Sequence, residues 1–235
     1  MLKVDSLFKT YKNAQSPAIH DVSFTVNNGE VFGLVGKNGA GKSTTIKCIT
    51  GIHSFESGNI SINTFDIKKH ENKAKSLIGY VPDNHSVYEC LTGLEYVNFM
   101  ADIYNVSLEN REKRIKKYAK LFNLEHALHK QISGYSHGMK QKICIMGALV
   151  HEPKLWILDE PFLGLDMQGM EVVKKSIIKY SRNRKHMVIF SSHNYESVCE
   201  LCDKVCVIDK GTVLAVLDMK IEGSKEKLKK LMLWK

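Results

Sequence analysis

The sequence has few of the features that mark secreted, membrane-spanning or fibrous proteins. Its first residues contain no apolar signal core, and its longest apolar stretches, such as residues 143–150, fall far short of the ~18 residues that a transmembrane helix requires. With 43% apolar and 25% charged residues, the composition is that of an ordinary globular protein. We therefore expect a folded chain that resides in the cytosol.

Linkers and repeats are also missing. The sequence has 4 prolines among 235 residues, no stretch rich in proline or glycine, and no internal repeat. A chain of this length can bury a sizeable core by itself. We expect one domain over residues 1–235.

The cysteines do not indicate a disulfide framework. There are 6 of them without a secretory signal, so reduced thiols are favoured. Cys199, Cys202 and Cys206 have a spacing that metal ligands can have, but the first two are predicted at a helix end and the third in a strand. Packing in the core is therefore favoured over metal or redox chemistry.

Charge is the one unusual feature of the composition. The 34 Lys and Arg residues exceed the 25 Asp and Glu residues, which gives a net charge of +9. This surplus is compatible with an anionic partner, such as a nucleotide, a nucleic acid or an anionic membrane surface. It is equally compatible with a solvated basic surface.

Predicted elements divide the chain into three parts. Residues 1–65 alternate β-rich runs with turns, as in the run 22–26, the turn 27–29 and the run 30–35. Residues 84–150 form a helical insert. Its helical patterns cover residues 93–104, 107–122 and 137–150. From Lys154 onward strands and helices alternate again. We predict strands over 155–158, 186–191 and 204–208, with helices over 168–180 and 195–201.

Residues 36–44 match the phosphate-binding pattern G-x-x-x-x-G-K-[ST], between a predicted strand and a predicted helix. Glycines let backbone N–H groups surround phosphates, Lys42 can reach the terminal phosphates, and Ser43 can offer a hydroxyl to Mg²⁺. A glycine-rich turn without a ligand is the alternative. The candidate nucleotide-binding residues here are Gly36, Asn38, Gly39, Ala40, Gly41, Lys42, Ser43 and Thr44.

Two adjacent carboxylates, Asp159 and Glu160, end the apolar strand predicted over residues 155–158. The carboxyl edge of such a sheet is where nucleotides bind. Asp159 suits the coordination shell of Mg²⁺, and Glu160 suits polarisation of the water that attacks the γ-phosphate. Alone the pair would be a weak signal, but with the phosphate loop it predicts nucleotide hydrolysis.

The segment 135–141 reads Tyr-Ser-His-Gly-Met-Lys-Gln, at the start of a predicted helix and before the Asp-Glu strand. It resembles the L-S-G-G-Q signature of ABC-type nucleotide-binding domains, in the Y-S-x-G-M-x-Q form of many exporter ATPases. The resemblance covers about residues 3–217. It implies a phosphate-loop NTPase core with an N-terminal antiparallel β subdomain and a helical signature subdomain. It also implies that Ser136 and the backbone of Gly138 hold the γ-phosphate. A plain loop followed by a helix is the alternative for this segment.

Further residues fall where this family has functional ones. Asp166 lies in a Gly-Leu-Asp segment that resembles the loop between the two subunits of the dimer. His193 follows a predicted strand and resembles the switch histidine that contacts the γ-phosphate; a structural histidine is the alternative. Tyr11, upstream of the first hairpin, resembles the aromatic residue that stacks on adenine, and an ordinary strand tyrosine is the alternative.

At two positions the sequence departs from the family pattern. Asp83 stands where the family usually has Gln, and His137 replaces the second residue of the usual signature. Asp is shorter and anionic, so direct approach to a site that already holds carboxylates and phosphates would add repulsion. We expect Asp83 to reach Mg²⁺ only through water. We expect the change at His137 to be tolerated, because a side chain at a helix start can point to solvent.

The resemblance implies ATP and Mg²⁺ as cofactors and a head-to-tail dimer with two shared sites. The dimer would be a homodimer or a heterodimer with another ABC ATPase, and an integral-membrane permease would hold it at the cytoplasmic face of the cell membrane.

The alternative is a soluble ABC ATPase acting on nucleic acid or the ribosome, which the basic charge supports slightly. No nucleic acid is expected, because the sequence has neither a coiled-coil insertion nor a second cassette. A small-molecule kinase would not explain the signature.

Export is favoured over import by analogy with the Y-S-x-G-M form and because only about 20 residues follow the last predicted strand. The expected cargo is a drug, an antimicrobial peptide or a similar amphipathic molecule. Residues 218–235 are predicted to form a basic C-terminal helix. Its lysines either touch lipid headgroups or form a solvated face.

Overall fold

The computed structural model describes residues 1–12, 14–84, 87–182 and 185–233. Its strands are β1 (Leu2–Lys9), β2 (Ile19–Val26), β3 (Val31–Val35), β4 (Ser57–Ile62), β5 (Phe65–Asp66), β6 (Ile78–Val81), β7 (Leu155–Leu158), β8 (Met187–Ser192), β9 (Lys204–Asp209) and β10 (Thr212–Asp218). Its α-helices are α1 (Lys42–Ile49), α2 (Glu71–Lys75), α3 (Gly93–Ile103), α4 (Leu108–Phe122), α5 (His137–Leu149), α6 (Met167–Ser181), α7 (Tyr195–Leu201) and α8 (Ser224–Leu233).

The larger sheet has the strand order β10-β9-β3-β8-β7-β6 and is parallel except for β10. Every residue of β3, β7 and β8 is buried, as expected for parallel strands covered by helices on both faces. Because β3, β8 and β7 are neighbours that run the same way, the residues that follow them meet at one edge. That edge carries the phosphate loop, Asp159, Glu160 and His193.

The smaller sheet is antiparallel, with the order β2-β1-β4-β5. Helix α1 fills the space between the two sheets, where Ile46 and Ile49 pack with Phe32 and Leu34 of β3. All four side chains are fully buried, and each contributes roughly 2 kcal/mol through removal of apolar surface from water. The predicted α/β fold with an antiparallel β subdomain is confirmed.

The turn predicted over residues 27–29 is present and links two sheets. The strands on either side of this turn, β2 and β3, belong to different sheets. The turn therefore carries the chain from one sheet to the other, and the first hairpin is formed by β1 and β2. Tyr11 lies in the connection of that hairpin and not upstream of it.

Helices α3, α4 and α5 lie between β6 and β7 in the chain, within the predicted helical insert. Their bounds agree with the sequence patterns to within one residue. Thr92 starts α3 with a capping box, in which its hydroxyl accepts from Glu95 N (3.2 Å) and Glu95 Oε2 accepts from Thr92 N (2.8 Å). Helix α5 is buried on nearly all sides because it packs between the insert and the parallel sheet.

The basic C-terminal helix begins later than predicted. Asp218 ends strand β10, and α8 starts at Ser224, while residues 234–235 lie outside the described part of the chain. Leu228 of α8 is fully buried in the main core, and the Tyr195 hydroxyl donates to the Lys225 carbonyl at 3.1 Å. The apolar face of this helix therefore packs against the core of the same chain, and its lysines are exposed to solvent.

The cysteines predicted to pack in the core do so in two of the three cases. Cys202 and Cys206 are buried on the two sides of the parallel sheet, and Cys199 is half-buried against the same core cluster as Cys202. Burial raises the pKa of the Cys206 thiol to about 12, so it stays protonated and unreactive at neutral pH.

Candidate functional site

A cavity of about 590 Å³ opens at the carboxyl edge of the parallel sheet. It brings together most of the residues that the sequence singled out. The predicted site residues in its wall are Tyr11, Asn38, Gly39, Gly41, Lys42, Ser43, Thr44, Asp83, Glu160 and His193. They come from five separate stretches of the chain, so the parallel strand order and not sequence proximity assembles the site.

The phosphate loop owes its path to glycines. A Cβ atom at Gly36 would come within 2.2 Å of the Ile208 carbonyl oxygen, so no larger residue fits where the loop leaves β3. Gly41 has φ +109° and stands at the N-cap of α1, a conformation that L side chains rarely adopt. The loop thereby turns the N-terminus of α1 toward the cavity, where its backbone N–H groups favour an anion.

Lys42 is held inside the loop. Its side chain is 6% exposed, and Nζ donates to the carbonyl oxygens of Gly36 (2.8 Å) and Lys37 (3.1 Å). Nζ also lies 3.7 Å from Oε1 of Glu160. The ammonium group is therefore fixed beside the Glu160 carboxylate, and phosphate oxygens can supply further acceptors.

Asp159 is completely buried, and its two oxygens differ in their surroundings. Oδ1 accepts from the Ser191 hydroxyl at 2.5 Å. Oδ2 has no hydrogen-bond partner among the described residues. An orphaned buried carboxylate oxygen is rare and calls for a cation or a cation-bound water. The residues present therefore fit Mg²⁺, with Asp159 and the Ser43 hydroxyl as the groups that would hold it.

Ser191 ties the two strand ends together. Its Oγ donates to Asp159 and accepts from the backbone N–H of Glu160 at 2.8 Å. Glu160 has φ +47°, an uncommon conformation for a non-glycine residue, and this hydrogen bond helps to hold it. Sequence reasoning missed Ser191 as a site residue. The pairing of Leu158 with Phe190 would have indicated it, because Ser191 then lies opposite Asp159.

His193 reaches the same carboxylate from β8. Its Nδ1 lies 3.0 Å from Oε1 of Glu160, and because a carboxylate only accepts, the imidazole proton must be on Nδ1. About half of the His193 side chain is exposed, so the ring can also contact a ligand in the cavity.

Asp83 follows β6 and lines the cavity with an exposed side chain. The hydroxyl of Tyr80 is buried nearby without a hydrogen-bond partner among the described residues. Burial raises the pKa of Tyr80, and the charges of Asp159 and Asp83 raise it further. Both carboxylates therefore act on the same hydroxyl, Asp83 from the cavity wall and Asp159 from the buried strand end.

Tyr11 closes one end of the cavity. Its hydroxyl is 3.1 Å from the Thr44 hydroxyl, and its ring meets the His53 ring edge-on with a centroid distance of 5.5 Å. Tyr11 is 40% exposed, and Nζ of Lys9 lies over its ring, 5.9 Å from the centroid. Ala18 and Leu163 also line the cavity, although nothing in the sequence marked them.

Several predicted site residues lie outside this cavity. Gly36 and Ala40 lie on the side of the loop that faces the protein. Gly36 packs against the backbone of Ile208, and the Ala40 carbonyl oxygen accepts from Gly211 N at 2.9 Å. Ser136 and Asp166 are the N-caps of α5 and α6, and each side chain accepts a backbone N–H of its own helix.

Gly138 lies in the first turn of α5, and a Cβ atom there would stand 3.4 Å from the Gly164 carbonyl oxygen. The His137 side chain does not simply point to solvent. It is exposed, but its ring also packs over Gly164, where an added Cβ atom would stand 1.9 Å from the imidazole Cδ2. The signature segment therefore contacts the Gly164–Asp166 segment within one chain.

A parallel-stranded core with this phosphate loop and paired carboxylates defines the class of phosphate-loop nucleoside triphosphatases. The family model described as ABC transporter matches residues 19–163. The chain belongs to the ABC transporter family as an ATP-binding subunit, and it hydrolyses ATP.

Individual relatives agree with this assignment. The chain is 36% identical over 216 residues to the linearmycin resistance ATP-binding protein LnrL of Bacillus subtilis, covering 92% of this chain and 68% of that protein. A solved ATP-binding subunit of an ABC transporter is 31% identical, with a TM-score of 0.89 over 100% of this chain and 95% of that one. The cbiO1 protein of Clostridium perfringens, part of the ABC transporter complex cbiONQ, is also 31% identical, with a TM-score of 0.80 over 99% of this chain and 94% of that one. Among the described residues, no helix is both long and apolar enough to cross a membrane.

Proposed function

We propose that two such cassettes close around Mg²⁺ and ATP and thereby drive a separate membrane permease that exports an amphipathic cargo. The observation that carries this proposal is the division of the site. The cavity holds the phosphate loop, Glu160 and His193, whereas Ser136 and Gly138 lie outside it on the same chain. A second cassette in head-to-tail orientation would supply the missing half.

Within one half-site, the roles follow from the contacts. Lys42 and the N–H groups of the loop bind the phosphates, and Tyr11, a partly exposed aromatic residue in the cavity wall, stacks on the adenine. Asp159 and Ser43 hold Mg²⁺, which supplies charge neutralisation at the phosphates when it is bound. Glu160 orients the attacking water, and His193 contacts the Glu160 carboxylate.

The other half-site comes from the helix N-terminus at Ser136. Its side chain caps α5, and the backbone N–H groups beyond it carry the positive end of the helix dipole. The whole unit would be residues 1–235, with 84–150 as the signature subdomain and 218–235 as a basic tail. Asp166, next to this segment, would contact the partner cassette. The partner is either a second copy or another ABC ATPase.

An exposed apolar surface on the helical insert suits the permease. Tyr88, Phe99 and Ile103 are 57%, 40% and 54% exposed, and the rings of Tyr88 and Phe99 meet edge-on at 5.5 Å. Exposed apolar groups of this size that lie together mark interaction sites. Contact with a permease here would place the chain at the cytoplasmic face of the cell membrane. Asp83, at the start of this segment, would transmit the state of the nucleotide site.

Export is supported by the signature form Y-S-x-G-M-x-Q and by the relative named for linearmycin resistance. The net charge of +9 favours one other candidate, a soluble ABC ATPase that acts on nucleic acid or the ribosome.

The deciding experiment is co-expression of the tagged chain with the membrane protein encoded beside it, followed by purification in detergent. We expect a complex whose ATPase rate responds to cargo after reconstitution. Phe99→Glu should release the permease while leaving the ATPase of the isolated chain unchanged. The control is Val216→Glu, at a similarly exposed position on β10, which should leave the complex with the permease intact. Co-purification of ribosomes or nucleic acid in place of a membrane protein would support the other candidate.

A further inference from the structure

A second cavity, of about 400 Å³, lies far from the chemistry of the nucleotide site and shares no lining residue with it. One wall comes from α4 and the end of α5 in the helical insert. The opposite wall comes from α6 and His186, which belong to the parallel-sheet core. Its volume is within the range of small-molecule sites, roughly 300 to 1,000 Å³.

The floor of this cavity is apolar. It is built from the rings of Tyr118 and Tyr180 and the side chains of Leu121 and Leu149. The Tyr180 hydroxyl already donates to the Pro153 carbonyl oxygen at 2.7 Å, and the Tyr180 ring stacks on His186 with a centroid distance of 4.5 Å. These contacts fix the ring, so the floor is preformed and offers carbon surface to an apolar group.

The rim is basic. Lys117, Lys120 and Lys179 line the opening, and none of the described carboxylates is within ion-pair distance of their ammonium groups. Glu152 also lines the cavity, but Arg114 neutralises it through a contact of 2.7 Å. Nζ of Lys117 lies over the Tyr118 ring, 4.9 Å from its centroid, and the net charge at the rim is positive.

The surroundings add to this positive field. Burial lowers the pKa of His186, and the neighbouring charges of Lys154 and Lys185 lower it further. His186 is thus neutral at pH 7 and serves as part of the wall, whereas the lysines supply the charge. Lysines are point charges on flexible stems, so they select an anion without imposing a fixed geometry on it.

We propose that this cavity binds a small amphipathic anion, with its apolar body on the tyrosine and leucine floor and its anionic head at Lys117, Lys120 and Lys179. The ligand is a free small molecule and not a lipid in a bilayer, because the apolar floor lies between helices α4 and α6. Since its walls come from both the helical insert and the parallel-sheet core, a bound ligand contacts both parts.

The test uses octanoate as the probe and the full chain without nucleotide, by titration calorimetry and ligand-observed NMR. We expect saturable binding of octanoate, with octanol and octylamine at least about tenfold weaker. The double variant Lys120→Glu/Lys179→Glu should weaken octanoate binding by about tenfold or more. Lys113→Glu/Lys175→Glu, which changes exposed lysines of the same two helices outside the cavity wall, should leave it within about twofold.

A second variant tests the apolar half independently. Leu121 is 39% exposed, so Leu121→Asp should fold, as its basal ATPase rate would show, and should also lose octanoate binding. Equal affinity for octanol and octanoate, equal loss in both double variants, or absence of saturable binding would overturn the proposal. So would binding only to phosphatidylglycerol vesicles, because that outcome would make the lysines a membrane-facing surface.

Discussion

Nδ1 of His193 lies 3.0 Å from Oε1 of Glu160, which joins the residues that follow two adjacent parallel strands. The same carboxylate oxygen is 3.7 Å from Nζ of Lys42. One carboxylate oxygen thus meets both the lysine of the phosphate loop and the histidine. Entry of a γ-phosphate would place its charge among these groups, and the consequences of this arrangement can be tested.

Glu160→Gln should lower ATP hydrolysis by about 100-fold or more while leaving ATP binding intact. Glutamine keeps the size of the side chain and its hydrogen-bonding capacity but cannot act as a base. A dimer locked by ATP should accumulate and be visible by size-exclusion chromatography with multi-angle light scattering. Glu109→Gln, on the exposed surface of α4, is the matched control. Normal turnover in the Glu160 variant would disprove its assignment.

Ser136 should act on the nucleotide that the other chain binds. Ser136→Arg alone and Lys42→Ala alone should each abolish hydrolysis, because every site in either homodimer lacks one half. Mixing the two variants should restore ATPase activity from one intact site in each mixed dimer. If mixed dimers form, as differently tagged chains would reveal, and show no more activity than either variant, the shared-site geometry is wrong.

Asp83→Asn should keep ATP affinity within about threefold, a change under ~1 kcal/mol, in the isolated subunit. The physical reason is that repulsion from Asp159 and Glu160 would keep the exposed Asp83 carboxylate back from a bound Mg²⁺, which it would reach only through water. In the assembled transporter the same variant should weaken cargo-stimulated ATPase. A collapse of nucleotide binding with coupling otherwise unchanged would identify Asp83 as a direct metal ligand.

Ser191→Ala should destabilise the protein by roughly 1 to 3 kcal/mol, because it leaves the buried groups of Asp159 and Glu160 without their partner. Hydrolysis should fall as well, since Glu160 loses the bond that holds its backbone. Ser191→Thr should recover most of both losses. Ser192→Ala is the control on the adjacent residue, whose hydroxyl accepts only from Asn194 N. Equal effects of the two alanine variants in urea unfolding and ATPase assays would contradict this role.

His151 should make stability depend on pH in mildly acid solution. Burial lowers the pKa of His151 from 6.5 to about 4, with its ring stacked on Tyr104 at a centroid distance of 3.5 Å. Between these pH values His151 is protonated in the unfolded chain but not in the folded chain. The free energy of unfolding therefore falls as the pH drops from about 6.5 to about 4. The contribution is on the order of 3 kcal/mol.

His151→Phe tests this prediction, because it keeps the ring stacking and removes the titrating group. The difference in the free energy of unfolding between the variant and the natural sequence should grow as the pH falls across this range. A difference that is constant with pH would show that His151 does not titrate in this way. Chemical denaturation followed by tryptophan fluorescence gives the measurement.

The sequence by itself determined the local chemistry. The phosphate loop, the Asp159-Glu160 pair and the segment 135–141 are contiguous patterns whose residue types have few other uses, and the helices of the insert have a clear 3.6-residue period. For these elements the local pattern and the final structure agree, since α3 and α4 bury the faces that their sequences make apolar, and α5 is buried on nearly all sides.

Only the tertiary structure decided which strands pair and what they bring together. The sequence predicted the run 22–26, the turn 27–29 and the run 30–35, but only the structure shows that β2 and β3 belong to different sheets, with all of β3 buried in the parallel one. The role of Ser191 and the contact of His137 with Gly164 depend on neighbours distant in sequence, which no local pattern encodes. Strand register and helix packing are set by the whole core, because every element must bury an apolar face against other elements there.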